Sequence, residues 1–195
     1  MTNGFLIVRC TPGLKATEET RAMTKSLAGA TVLVAEDDVV SLEIVSRMLP
    51  RLSIAEVLKA KDGVEAIEQI ERAEGKVYAA ILDFSMPRVH GLQVLRKIRA
   101  DETSADAGLP CIMLTGHDDS GLHGLALALG ANTFLRKPAT FDKLKESLER
   151  ITAESTPAAT PDAYRQIDVE DSVEAILQRI ALTRSEGEAI DRSVG

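Results

Sequence analysis

The sequence predicts an α/β domain built on a five-stranded, doubly wound parallel sheet. Between Thr31 and Ile151, short apolar runs alternate five times with amphipathic stretches of helical period. Such alternation implies parallel strands with helices on both faces. The runs 31–35, 78–82 and 111–114 lack polar interruption, as central strands do, whereas 54–60 partly alternates, as an edge strand does. These features suit strand order 2-1-3-4-5, with a switch point between strands one and three where a ligand crevice forms.

The first strand ends in Glu36-Asp37. Helix one is expected from about 38 to 49, because Leu42, Val45 and Leu49 recur at helical spacing and Pro50 stops it. The edge strand leads to Asp62-Gly63-Val64-Glu65, where Asp62 is the expected N-cap of helix two and Glu65 completes a capping box. Gly75 closes that helix. The third unit is strand 77–82 with helix 91–100. The fourth is strand 110–115 with helix 119–129, and Gly130 is its C-terminal stop. The fifth is strand 131–136 with helix 140–151.

Outside this domain, drawn at 30–152, the patterning weakens. Residues 1–29 show no sustained period and read as a mobile N-terminal arm. Residues 153–166, with two prolines among small residues, read as a linker. Residues 167–195 read as a short helical extension with a frayed tail. Its helix is expected over about 171–184, with Asp171-Ser172-Val173-Glu174 as a capping box. Val169, Val173, Ile176 and Ile180 form an apolar stripe too short for a coiled coil. The stripe can fold back on the domain, pair with a second copy, or dock on another protein; the sequence does not choose.

Composition narrows the function classes. Aromatic residues are 3% of the chain and Trp is absent, so the core must be aliphatic. A net charge of -7 argues against broad nucleic-acid binding, which needs a basic face. From Asp162 onward eight acids face four arginines, which opposes DNA contact, and no helix-turn-helix fits there. Cys10 and Cys111 lack metal-type spacing, and a disulfide framework is not expected. A reducing cytoplasm fits that usage. Neither a secretory leader nor a membrane span of ~20 apolar residues is expected.

The chemistry gathers at strand ends. Glu36 and Asp37 follow strand one, Asp83 ends strand three, Thr115 ends strand four, and Lys137-Pro138 follows strand five. Adjacent acids suit a hard divalent cation, since Mg²⁺ prefers one or two carboxylates plus waters and phosphate oxygens. They also suit a solvated loop in which Asp38 caps helix one. Asp83 is a turn-forming residue before Met86-Pro87, or a carboxylate nucleophile kept anionic by a cation and able to form an acyl phosphate. Thr115 and Lys137 are weak signals singly. Their weight comes from falling at successive ends of one sheet.

Val32-Leu33-Val34-Ala35-Glu36-Asp37-Asp38, Ile81-Leu82-Asp83-Phe84-Ser85-Met86-Pro87, Met113-Leu114-Thr115-Gly116 and Phe134-Leu135-Arg136-Lys137-Pro138 together resemble the receiver domain of bacterial response regulators, of the chemotaxis-regulator-like kind. The resemblance covers about 30–152. It implies a flavodoxin-like fold and two-component or phosphorelay signalling. It makes Asp83 the phosphoacceptor. It implies Mg²⁺ held by Asp37, Asp83 and the backbone carbonyl of Ser85, with Glu36 acting through water. It implies that Lys137 pairs with the carboxylate and then the phosphoryl oxygens, that Thr115 binds the phosphoryl group, and that Phe134 is the switch aromatic. The implied donor is a sensor histidine kinase or a histidine phosphotransfer protein. The implied output is contact with a downstream protein or a phosphorylation-dependent homodimer, without DNA or membrane binding. Such a protein assists its own phosphorylation and dephosphorylation but is not an enzyme in the ordinary sense.

The chain departs from the family pattern in places. His90 stands before Gly91 where many members carry Asp, and Val89 replaces the usual Met; His90 is expected as a surface loop residue. Ser85 and His117 occupy positions that tune phosphoryl lifetime in the family. Phe134 replaces Tyr and so removes a hydroxyl. A phosphohydrolase of haloacid-dehalogenase type wants a second Asp two residues after the first, where this chain has Ser85. A phosphate sink or relay carrier without its own output shares every motif and stays open at the level of sequence.

Overall fold

The computed structural model describes residues 27–116, 120–153 and 160–175. The expectations for the arm up to residue 26, for His117 and for the chain beyond residue 175 lie outside the described residues. The elements are β1 (Thr31–Ala35), α1 (Val39–Met48), a 3₁₀ turn (Leu49–Leu52), β2 (Glu56–Ala60), α2 (Gly63–Arg72), β3 (Val77–Asp83), α3 (Gly91–Arg99), β4 (Cys111–Thr115), α4 (Ser120–Ala128), β5 (Thr133–Arg136), α5 (Phe141–Ala153) and α6 (Pro161–Arg165). A final helix, α7, begins at residue 169 and runs through 175.

All five strands are parallel, in the order β2-β1-β3-β4-β5. The fold class and strand order are those the sequence predicts. Successive side chains of a strand point to opposite faces, so each central strand feeds two cores. Val32 and Val34 join Leu42 and Val45 of α1 and Leu144 and Leu148 of α5. Leu33 and Ala35 join Ala66 and Ile70 of α2 and Leu92, Leu95 and Ile98 of α3. Each fully buried Val, Leu or Ile side chain among them contributes about 1.5–3 kcal/mol. Strand β2 is half exposed along its length, in keeping with its place at the edge.

Local signals explain most boundaries. Asp38 caps α1, its carboxylate accepting from the Ser41 N–H at 2.7 Å. Helix one thus stops being α-helical at Met48, and Pro50 sits in the 3₁₀ turn that finishes it. Asp62 caps α2 by accepting from the N–H groups of Val64 and Glu65. Glu65 reaches back to the Lys61 N–H at 2.8 Å, one residue earlier than the capping box predicts.

The C-terminal segment departs from expectation. Within the stretch read as a linker, Pro161–Arg165 is helical and Tyr164 is buried. Pro161 does not oppose this, since a proline in the first turn loses no intrahelical hydrogen bond. The following helix starts two residues early. Asp168, not Asp171, is its cap and accepts from the Asp171 N–H at 3.1 Å, while Ser172 lies inside the helix and donates to the Asp168 carbonyl. The segment folds back on its own domain, over α3. Val169 and Val173 are buried in the α2–α3 core layer. Arg165 donates to the carbonyl of Ala100 at 2.6 Å, just past the end of α3, and Gln93 donates to Glu170 at 3.0 Å.

Arg99, in the last turn of α3, is 1% exposed. Its guanidinium donates to the carbonyls of Ala107 and Leu109, each at 2.8 Å, to the carbonyl of Gly130 at 2.9 Å, and to Asn132 Oδ1 at 3.2 Å. Asn132 Oδ1 also accepts from the Cys111 N–H at 2.9 Å. This network joins the end of α3 to the starts of β4 and β5, at the end of the strands opposite Asp83.

Candidate phosphoacceptor site

Register brings the strand-end residues together. Ala35 pairs with Leu82, so Glu36 lies level with Asp83. Asp83 pairs with Leu114, and Thr115 pairs with Arg136, so Thr115 follows one step beyond Asp83 and Lys137 two. Glu36 and Asp83 are buried, at 0% and 2% exposure, and Thr115 is buried beside them. Asp37 is exposed at the mouth. Carboxylate oxygens of Glu36, Asp37 and Asp83 all lie within 4.8 Å of one another.

Lys137 closes the cluster. Its ammonium is 2.6 Å from a Glu36 oxygen and 2.9 Å from Asp83 Oδ2. Its backbone N–H donates to the Thr115 carbonyl at 2.8 Å, which ties the exit of β5 to the end of β4. The Lys137–Pro138 peptide is cis. Helix α3 starts hard against β3: a Cβ on Gly91 would overlap the Asp83 carbonyl, so only glycine fits there. His90 is the N-cap of α3 rather than a surface loop residue. It is half-buried, with its ring stacked 6.3 Å from that of Phe84. Phe134 is half-buried, its ring centroid 4.5 Å from that of His123 on α4. Ser85 is exposed two residues past Asp83. Sequence reasoning missed His123 and, in the loop after β3, Arg88. Neither carries a local signal, because each acquires meaning only from its partner across the fold.

The electrostatics fit a divalent cation. Burial raises the Asp83 carboxyl above its ordinary range, against the opposing pull of Lys137, and nearby Asp37 raises it further. Burial also raises Glu36, with Lys137 opposing and Asp83 adding to the rise. Burial alone would lower Lys137, but its hydrogen bonds to Glu36 and Asp83 outweigh this and hold it above its usual value. One ammonium therefore faces three carboxylates, two of them desolvated. An all-oxygen set with that excess of negative charge suits Mg²⁺.

This sets a pH dependence for the metal-free protein. Folded Asp83 and Glu36 hold their protons more tightly than in the unfolded chain, whose ordinary values are 3.8 and 4.5. The stability their neutral forms contribute is full below those values and is lost as pH rises through the raised folded ones. Metal-free protein is thus expected to show a urea midpoint that falls as pH rises above the ordinary carboxylate range, with a shallower fall in Asp83→Asn. A slope unchanged by that substitution would count against it.

Comparison with known proteins agrees with this fold. The family model of the response regulator receiver domain matches residues 32–149. The chain belongs to the response regulator receiver family. This receiver is 36% identical over 118 residues to the chemotaxis protein CheY1 of Helicobacter pylori strain J99, covering 60% of the present chain and 93% of that relative. The structure of Vibrio cholerae CheY4 is similar at a TM-score of 0.58 and 28% identity, covering 64% of this chain and 99% of that one. The receiver domain of the sensor histidine kinase PA1611 from Pseudomonas aeruginosa PAO1, solved with magnesium in its active-site cleft, is similar at a TM-score of 0.57 and 30% identity. That match covers 65% of this chain and 100% of the other. Among the described residues, no helix is long and apolar enough to cross a membrane.

Proposed function

We propose that this receiver is a phosphorylation-activated switch that accepts a phosphoryl group on Asp83 from a histidine kinase or histidine phosphotransfer protein. The observation that carries the reading is the buried Asp83 carboxylate, 2.9 Å from the Lys137 ammonium within a cluster of three acids. Asp37, Asp83 and the Ser85 carbonyl would hold Mg²⁺, with Glu36 acting through water. The ion would supply charge neutralisation for the incoming phosphoryl oxygens. An Asp83 oxygen attacks phosphorus, the P–N bond to the donor imidazole breaks as the P–O bond forms, and the imidazole leaves with its electron pair. Lys137 exchanges part of its pairing with Asp83 for a phosphoryl oxygen, which stabilises charge where it develops. Thr115 binds another such oxygen, and its movement lets Phe134 turn inward from its present contact with His123 of α4. That is a packing element biased by a new local charge. The 30–152 domain then signals through contact with another protein in the cytoplasm, or with a second copy of itself.

The test is intact mass after incubation with Mg²⁺ and acetyl phosphate. The protein should gain one phosphoryl group, lose it on treatment with hydroxylamine as an acyl phosphate does, and gain none when the metal is chelated. A gain that resists hydroxylamine, or none with metal present, overturns the reading.

A further inference from the structure

The loop between β3 and α3 carries Asp83 at its start and Ser85 two residues on, and it is held from the side. Arg88 has a left-handed backbone, φ 66°. For a residue with a Cβ that conformation costs about 1–2 kcal/mol, so its surroundings must hold it. Val89 turns back with its N–H on the Pro87 carbonyl at 2.8 Å. This presses Val89 onto Gly63, where a Cβ would overlap the Val89 carbonyl. Beside that contact the Arg88 guanidinium pairs with Asp62 Oδ2. The other oxygen of Asp62 caps α2, accepting from the N–H groups of Val64 at 2.8 Å and Glu65 at 2.9 Å. One nearly buried carboxylate therefore fixes the start of α2 and the far end of the phosphoacceptor loop at once.

We infer that Arg88 and Asp62 are positioning residues that clamp the β3–α3 loop against the N-terminus of α2 and thereby set the placement of Ser85 and Asp83 for the metal. The inference rests on the reading of the site as a magnesium-dependent phosphoacceptor. A loop freed at Arg88 gains backbone freedom between Phe84 and His90. The Ser85 carbonyl is then no longer pre-placed, and metal binding must supply the ordering.

Arg88→Gln and Asp62→Asn separate the clamp from the cap, because Asn still caps a helix well. In the full chain, hydrogen exchange of the amides 84–90 without metal should quicken in both variants. Mg²⁺ affinity by calorimetry should fall about 5-fold, the most that an ion pair to a largely exposed arginine supplies. The double variant should be no worse than either single one, and Arg88→Lys should recover part of the affinity. Arg88→Gly relieves the backbone strain but removes the clamp, and it should weaken Mg²⁺ binding as Gln does. Unchanged exchange and affinity, additive losses, or a drop in urea midpoint with Mg²⁺ affinity intact would each overturn the clamp. If wild type binds Mg²⁺ but takes up no phosphoryl group, the functional reading fails while the exchange data still decide the clamp.

Discussion

Asp83→Asn is expected to abolish phosphoryl uptake while leaving the protein folded. Asn keeps the shape of the side chain but has no anionic oxygen to attack phosphorus, so the loss should be complete rather than partial. The same change should raise the stability of the metal-free protein at neutral pH. Burial and the neighbouring Asp37 make a charged Asp83 costly in the fold, and Lys137 keeps its close contact with Glu36 when Asp83 becomes neutral. Mg²⁺ affinity should fall, because one of three gathered carboxylates is gone. Intact mass, urea unfolding and calorimetry on one preparation read all three effects. A folded Asp83→Asn protein that still acquires a hydroxylamine-labile phosphoryl group would sink the assignment of the acceptor.

The largest effect on stability is expected at Arg99. Arg99→Met replaces the guanidinium with an apolar chain of similar reach. It leaves the carbonyls of Ala107, Leu109 and Gly130 without their buried donor. A buried acceptor left without a donor costs about 1–3 kcal/mol, and the Ala107 and Gly130 carbonyls are both left so, whereas that of Leu109 keeps the Cys111 thiol; the loss should be about 3 kcal/mol. Phosphoryl uptake per folded molecule should be unchanged, since the network lies at the opposite end of the strands from Asp83. Urea unfolding gives the first quantity, and labelling normalised to the native fraction gives the second. A loss below about 1 kcal/mol would mean that water replaces the guanidinium without penalty.

These two residues mark what could be read from the sequence. The gathering of Asp83 with Glu36, Asp37, Thr115 and Lys137 was legible because each falls at the end of a strand of one parallel sheet. The sheet order followed from which runs were apolar throughout. Arg99 was not legible, because a cation in the last turn of a helix is ordinarily solvated and favourable there. Its burial depends on carbonyls from three later segments, which no local period encodes. Tyr164 was hidden for a related reason. Two prolines in a run of small residues describe a linker, yet Pro161 begins a helix and Tyr164 finds the core. Asp62 was recognised as a cap, but its second oxygen is committed to Arg88, 26 residues away. Asp168 rather than Asp171 caps the last helix, and two acids three residues apart offer the same local chemistry, so burial of Val169 decides between them.

The folded-back segment also changes what a partner can reach. It is joined to α5 by a short stretch of chain, and a short connection keeps a tethered group at a local concentration on the order of millimolar. A separate protein seeking the same surface of α3 at about micromolar concentration therefore begins about 1,000-fold behind, a handicap of about 4 kcal/mol. Mass action thus reserves that flank for the chain's own Tyr164, Val169 and Val173, and it steers free partners toward the rest of the domain.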